Sequence, residues 1–280
     1  TEAVARVDPC PGKPLMGRVL QIAIVAFTLM TGSANAYCKV ALALGLDISS
    51  SVNSREYRLQ QEGLASALES KEVQKAILTP QGAYIEAAVY EWSGVSQQSL
   101  ILDWTRLDSP EKITVFANRL RQNWRRYSEF STALGMAAVF GADLLRRSPP
   151  CARKVLDLSG DGENNEGWGP ERYRALGVLD GITINGLPLL TREGMDSAWH
   201  LEGLDVYYQS CVIGGPGSFV IPVFDWDDFA DAVQRKLVLE MVSRPQSATV
   251  IPAQATPRDP TDCRIGEKIW QERRRYWDMP

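Results

Sequence analysis

The stretch that decides the fold is Ala41-Leu42-Ala43-Leu44-Gly45-Leu46-Asp47-Ile48-Ser49-Ser50-Ser51. Its first six residues are apolar or glycine without alternation, which is typical of a central parallel strand covered on both faces. A carboxylate and three hydroxyls follow at the carboxyl end of this strand, where ligand sites lie in open α/β sheets. Because Asp47, Ser49 and Ser51 are two residues apart, a loop turning after the strand can aim three oxygens at one point. Hard divalent cations such as Mg²⁺ prefer oxygen ligands.

Length and composition predict one main domain and a mildly acidic protein. The chain has 280 residues, and 45% of them are hydrophobic, so it can bury a full core. The formal net charge is −4. This charge gives no electrostatic reason to expect nucleic acid or an anionic membrane surface as a partner.

Residues 1–36 have the layout of a leader with a secretory signal peptide. Lys13 and Arg18 precede an apolar run at residues 19–30, and an A-x-A pattern typical of a cleavage site ends at Ala36. The alternative is a membrane anchor, but the run of 12 residues is shorter than the roughly 20 needed to cross a bilayer. We therefore expect cleavage after Ala36, no stable membrane span afterwards, and a periplasmic or secreted protein.

Four cysteines remain once a cleaved leader has removed Cys10, namely Cys38, Cys151, Cys211 and Cys263. An even number in an exported protein permits two disulfides, with three possible pairings. Cys38 and Cys151 each stand just before an apolar strand, so their thiols meet at one edge if those strands are parallel neighbours. We predict one disulfide between these two cysteines and a second between Cys211 and Cys263.

The rest of the chain alternates predicted strands with predicted helices. After the opening strand, strands are expected at residues 83–92, 99–102, 154–158, 182–189 and 218–224. Helices are expected from residue 54 to about 77, from 110 towards 124, and at 133–146, 170–178 and 229–242. This alternation predicts a doubly wound, mostly parallel sheet in a three-layer α/β/α domain at residues 37–243. The tail, residues 244–280, is expected to be extended and poorly packed apart from a short helix at 265–276.

Two further oxygen-bearing residues come from loops at the same side of the predicted sheet. Thr132 precedes the second amphipathic helix, and Asp161 follows the strand at residues 154–158. The order D-x-S-x-S, then a loop threonine, then an aspartate after a strand resembles the metal-ion-dependent adhesion site of von Willebrand factor type A domains. The resemblance covers roughly residues 38–243 and is nearest to an exported bacterial branch of unassigned function.

This resemblance implies a bound Mg²⁺ or Mn²⁺. The hydroxyls of Ser49, Ser51 and Thr132 would hold the ion, and Asp47 and Asp161 would bind it directly or through water. Few charged ligands leave such an ion with an open coordination position, which an acidic residue of a partner protein can fill. The favoured hypothesis is therefore a binding module without catalytic turnover.

An enzymatic alternative comes from residues 160–165, Gly-Asp-Gly-Glu-Asn-Asn. They resemble the metal loop of haloacid dehalogenase-type phosphohydrolases, in which the first strand ends in D-x-D. Its leading aspartate, here Asp47, is the nucleophile and its second is the general acid. Position 49 is serine and position 165 is asparagine in this chain, which removes the acid and one metal ligand. A purely structural envelope protein is the third hypothesis.

Other candidates carry weaker signals. Trp168 follows Asp161 closely enough to flank a bound ligand. His200 is the only histidine, and no nucleophile can be paired with it, so a surface or structural role is favoured. The basic run at residues 273–275 favours a solvated helical face over a docking surface.

Overall fold

The computed structural model describes residues 2, 36–191, 201, 203–242 and 261–277, with side chains omitted at 273, 276 and 277. Every element below belongs to the compact unit of residues 34–280. The predicted leader apart from residues 2 and 36, His200, and residues 244–260 of the tail lie outside the described residues, so the expectations about them stay predictions. In the parts of the chain that are described, no helix is both long enough and apolar enough to cross a bilayer.

The sheet has five strands in the order β3-β2-β1-β4-β5. They are β1 Tyr37–Asp47, β2 Ala83–Trp92, β3 Gln98–Leu107, β4 Arg153–Gly160 and β5 Thr183–Pro188. All neighbours are parallel except β2 and β3, which are antiparallel. Asp47 pairs in register with Trp92, and Leu46 pairs with Ser159. The carboxyl ends of the three central strands therefore lie at one edge of the sheet.

Helices cover both faces of this sheet, as predicted for a three-layer domain. They are α1 Ser54–Glu69, α2 Lys71–Leu78, α3 Pro110–Arg121, α4 Leu134–Arg146, α5 Pro170–Ala175, α6 Leu204–Tyr207, α7 Phe229–Val242 and α8 Ile265–Trp277. One apolar core joins the sheet to α1, α2, α3 and α7. A second core joins the opposite face to α4 and to the segment around α6.

The helix predicted from residue 54 to about 77 is broken at Ser70. This residue has an extended backbone, and its hydroxyl accepts a hydrogen bond from Val73 N at 3.2 Å. Serine is a favourable N-cap because its side chain satisfies an amide at the start of a helix. Ser70 therefore ends α1 and begins α2.

The strand predicted at residues 218–224 is present only as two isolated parallel bridges beside β5. These bridges pair Gly186 with Val220 and Leu189 with Val223. Pro188 lies between them and has no N–H to donate to the ladder. The proline in β5 therefore accounts for the interruption.

Both predicted disulfides are confirmed. Cys38 in β1 is joined to Cys151, two residues before the neighbouring strand β4, with their Cα atoms 4.6 Å apart. Cys211 and Cys263 are joined with their Cα atoms 5.4 Å apart, which ties the start of α8 to the π-helical turn Tyr208–Val212 after α6. The helix expected in the tail is present, and it packs closely on the domain.

Candidate metal centre

The five residues predicted from the sequence come from three loops at the carboxyl edge of the sheet. Asp47 ends β1, Asp161 follows the last residue of β4, and Thr132 precedes α4. Asp47 and Ser49 are fully buried, and Asp161 is 7% exposed. Ser51 is exposed. The group therefore has a buried base and one open side.

Four of the five residues form a continuous chain of hydrogen bonds. Ser49 N donates to Asp47 Oδ1 at 2.7 Å. The hydroxyls of Ser49 and Ser51 lie 3.1 Å apart, and Ser51 Oγ donates to Asp161 Oδ1 at 2.7 Å. The spacing of two residues thus aims the oxygens of the D-x-S-x-S loop (residues 47–51) at Asp161, which follows β4.

Thr132 is held beside the Asp161 loop (residues 161–165) through its backbone. Thr132 N donates to Asn165 Oδ1 at 2.9 Å, and Asn165 N donates to Thr132 O at 2.9 Å. A Cβ atom at Gly162 would lie 3.6 Å from Thr132 Oγ1. Asn165 therefore positions Thr132, whereas the phosphohydrolase alternative needs a metal ligand at this position.

The electrostatics of the site centre on Asp47. Its Oδ2 atom is buried and has no hydrogen-bond partner among the described residues. Burial, and then the charge of Asp161, raise the pKa of the Asp47 carboxyl to about 8. A Cβ atom at residue 160 would come within 2.8 Å of this Oδ2, so the close approach of β4 requires Gly160. An unpartnered carboxylate oxygen in a group with a second carboxylate and the hydroxyls of Ser49 and Ser51 fits a divalent cation.

Arg125 is a residue of the site that sequence reasoning missed. Its guanidinium donates to Val52 O at 2.6 Å, to Ile48 O at 2.8 Å and to Ser49 O at 2.9 Å. These bonds hold the backbone of the D-x-S-x-S loop in place. The only signal in the sequence is an arginine in a polar loop, because the carbonyls that it contacts lie more than 70 residues away along the chain.

Trp168 lies on the segment that follows the Asp161 loop. Its side chain is 46% exposed, and the Arg172 guanidinium lies 3.7 Å from the ring centroid. The Trp168 carbonyl occupies the position that a side chain on Gly135 of α4 would need. A role of Trp168 in flanking a ligand stays a prediction.

Comparison with known families places the chain among proteins without an assigned activity. Residues 37–245 match the family described as "Protein of unknown function (DUF1194)". The chain belongs to the DUF1194 family. No curated protein matches this DUF1194 chain.

Solved structures similar to the DUF1194 domain have a common fold. Proximal thread matrix protein 1 from the mussel byssus, with a zinc-occupied MIDAS motif, has a TM-score of 0.50 at 12% identity, covering 74% of this chain and 48% of that one. The pilus adhesin SpaC from Lactobacillus rhamnosus GG, in an open conformation, has a TM-score of 0.51 at 12% identity, covering 74% and 30%. A von Willebrand factor type A protein from Catenulispora acidiphila has a TM-score of 0.46 at 15% identity, covering 73% and 43%.

These comparisons concern the fold alone. The DUF1194 chain spans about half or less of the length of each of the three structures. The predicted von Willebrand factor type A-like fold is confirmed by the strand order and by the helices on both faces of the sheet. The similarities to the mussel matrix protein and to the pilus adhesin agree with it. The phosphohydrolase alternative is not favoured.

Proposed function

We propose that this chain is an exported binding module without catalytic turnover. Asp47, Ser49, Ser51, Thr132 and Asp161 hold a divalent cation, Mg²⁺ or Mn²⁺, and an acidic group of a partner protein completes its coordination. The observation that carries the proposal is the buried Asp47 Oδ2 atom, which accepts no hydrogen bond within the part of the chain that is described. A buried carboxylate of this kind is costly unless a cation or a donor meets it.

The residues of the site also suit a partner that arrives from solvent. Three of the five donors are neutral hydroxyls, so the two carboxylates Asp47 and Asp161 leave a divalent ion with little excess negative charge around it. A bound cation would supply a coordination position for a partner's carboxylate. Ser51 is exposed, which leaves the site accessible on that side. The similarity to a pilus adhesin and to a matrix protein with a zinc-occupied MIDAS motif supports a protein partner.

Two disulfides support the exported location. Disulfides persist in oxidising compartments such as the periplasm and the extracellular space, and this chain contains both Cys38–Cys151 and Cys211–Cys263. Together with the leader predicted at residues 1–36, they support our proposal that the protein is periplasmic or secreted.

Titration with Mn²⁺, followed by calorimetry or electron paramagnetic resonance, tests the metal site. We expect the wild-type protein to bind the ion and Asp47→Ala to lose binding. Ser50→Ala is the matched control, because Ser50 belongs to the same loop and is exposed but stands out of phase with Ser49 and Ser51. No binding by the wild type, or equal binding by Asp47→Ala, would refute the proposal.

A generic phosphoester assay with Mg²⁺ separates this proposal from the phosphohydrolase alternative. That alternative requires turnover that disappears in Asp47→Ala, whereas we expect no turnover in either protein. Capture of a partner from the cell envelope, with and without chelator, tests whether partner binding depends on the ion.

A further inference from the structure

The C-terminal helix α8 lies directly against the Asp161 loop. Gly266 is buried, and a Cβ atom there would come within 2.2 Å of Asn164 O and 2.4 Å of Glu163 Cγ. The backbone of α8 therefore touches the loop with no side chain between them. This contact joins the last described element of the chain to a loop about 100 residues earlier.

Asn164 links α8 to the start of α4. It is fully buried, and its Nδ2 donates to Glu267 Oε1 at 2.9 Å. Its Oδ1 accepts a hydrogen bond from Gly135 N, in the first turn of α4, at 3.2 Å. The next residue, Asn165, holds Thr132, which precedes α4. The loop that carries Asp161 and the backbone around Thr132 are thus held by two adjacent asparagines, one of which is anchored on α8.

A covalent bond fixes α8 in this place. Cys263, two residues before the helix, is joined to Cys211. Tyr207, in the same region as Cys211, accepts a hydrogen bond from Asn164 N at 3.2 Å and donates to Cys263 O at 3.5 Å. The disulfide, Tyr207 and Asn164 therefore form one connected support under the Asp161 loop.

We propose that α8 is a positioning element of the metal site, with Glu267 and Asn164 as its positioning residues. This inference rests on the proposed function, because it assigns α8 the task of holding Asp161 and Thr132 in the geometry that binds the ion. Groups that orient metal ligands raise affinity because the ligands need not be ordered when the ion binds. Loss of such an outer partner typically lowers metal affinity by about 10- to 100-fold.

The two disulfides provide a matched pair of variants. Cys211→Ser/Cys263→Ser releases α8, whereas Cys38→Ser/Cys151→Ser removes a disulfide near the start of β1. Cys38 and Asp47 are nine residues apart on one strand, which corresponds to about 30 Å. We expect the first variant to bind Mn²⁺ at least about tenfold more weakly and the second to bind within about twofold of the wild type, although each loses a disulfide that stabilises the fold.

A second pair of variants isolates the hydrogen bond. Glu267→Ala removes the acceptor for Asn164 Nδ2, while Glu267→Gln keeps a carbonyl oxygen that can accept the same bond. We expect weaker Mn²⁺ binding in Glu267→Ala and nearly normal binding in Glu267→Gln. Because Glu267 is half-buried and belongs to neither of the two apolar cores, these variants remain informative if the cysteine variant fails to fold.

Amide hydrogen exchange in the metal-free protein gives a readout that does not depend on the ion. We expect faster exchange at residues 161–165 and at Gly135 in Cys211→Ser/Cys263→Ser and in Glu267→Ala, and no change there in Cys38→Ser/Cys151→Ser. Unchanged exchange and unchanged affinity in the first two variants would overturn the inference. If the wild type binds no Mn²⁺, the proposed function fails, and the exchange data alone decide whether α8 holds the loop.

Discussion

The buried carboxylates around Lys236 and those at the carboxyl edge of the sheet differ in how a cation meets them. Asp157 of β4 and Glu240 of α7 both contact Lys236, whose Nζ lies 2.5 Å from Asp157 Oδ1 and 2.6 Å from Glu240 Oε1. Burial lowers the pKa of the Lys236 ammonium, but the two carboxylates more than offset it, so the pKa is raised. Glu240 Oε2 accepts no hydrogen bond from any residue that the structure describes. The ammonium, and not complete hydrogen bonding, therefore distinguishes this cluster.

Asp47 and Asp161 are buried to a similar degree, and both interact electrostatically with the Arg125 guanidinium. Arg125 gives its hydrogen bonds to backbone carbonyls of the D-x-S-x-S loop. Burial, and then the charge of Asp161, nevertheless raise the pKa of Asp47. The comparison teaches that burial of carboxylates alone does not mark a binding site. What differs is that an ammonium lies directly between Asp157 and Glu240, whereas the Arg125 guanidinium donates its hydrogen bonds to backbone carbonyls.

The largest effect is expected from removing the internal cation. Lys236→Met leaves Asp157 and Glu240 buried without a counter-charge, so we expect the free energy of unfolding to fall by about 3–5 kcal/mol. Urea denaturation measures this loss. Arg235→Met, on the exposed side of the same helix, is the control and should change stability by less than about 0.5 kcal/mol. A loss in Lys236→Met as small as in the control would mean that the cluster is not held by its ammonium.

Removal of the external ion is expected to have the next largest effect. A ligand present at 100 times its dissociation constant stabilises the folded state by about 2.7 kcal/mol. We therefore expect wild-type protein in Mg²⁺ or Mn²⁺ to lose an increment of this size on addition of chelator. Asp47→Asn should show no such increment, because it lacks the charge that the ion neutralises. An equal increment in both proteins would place the ion elsewhere.

The pH dependence of the metal-free protein should report the raised pKa of Asp47. The pKa of Asp47 is about 8 in the folded protein, against an ordinary value of 3.8. A raised pKa stabilises the folded state below pH 4, and this contribution is lost as the pH rises towards 8, by at most about 1.4 kcal/mol per pH unit. Denaturation of chelated protein between pH 5 and 8 should therefore show a steeper decline in the wild type than in Asp47→Asn. Parallel curves would contradict the assignment to Asp47.

The smallest effect is expected at a third, exposed carboxylate cluster. Arg121 of α3 pairs with Glu62 at 2.9 Å and Glu69 at 2.8 Å on the surface of α1. Exposed ion pairs are screened by water, so Arg121→Ala should cost no more than about 1 kcal/mol in thermal or chemical denaturation. A cost as large as that of Lys236→Met would show that pairing, and not burial, sets the size of these effects.

Local patterns predicted much of this molecule. The unbroken apolar run before Asp47 predicted the central strand, and the spacing of Ser49 and Ser51 predicted the loop in which their hydroxyls meet. The position of Cys38 and Cys151 just before apolar strands predicted their disulfide. The sequence could not predict the break at Ser70, because a serine inside an apolar helical pattern is compatible with either a continuous helix or a cap.

The sequence by itself determined the central strand, the alternation of strands and helices, and the set of oxygen donors, since each depends on residues near one another in the chain. Only the tertiary structure decided how those donors are supported. Arg125 binds carbonyls of a distant loop, Lys236 of α7 contacts Asp157 of β4, and α8 contacts the Asp161 loop through Asn164. Such contacts depend on which surfaces packing brings together. A single sequence contains no local periodicity that reports them.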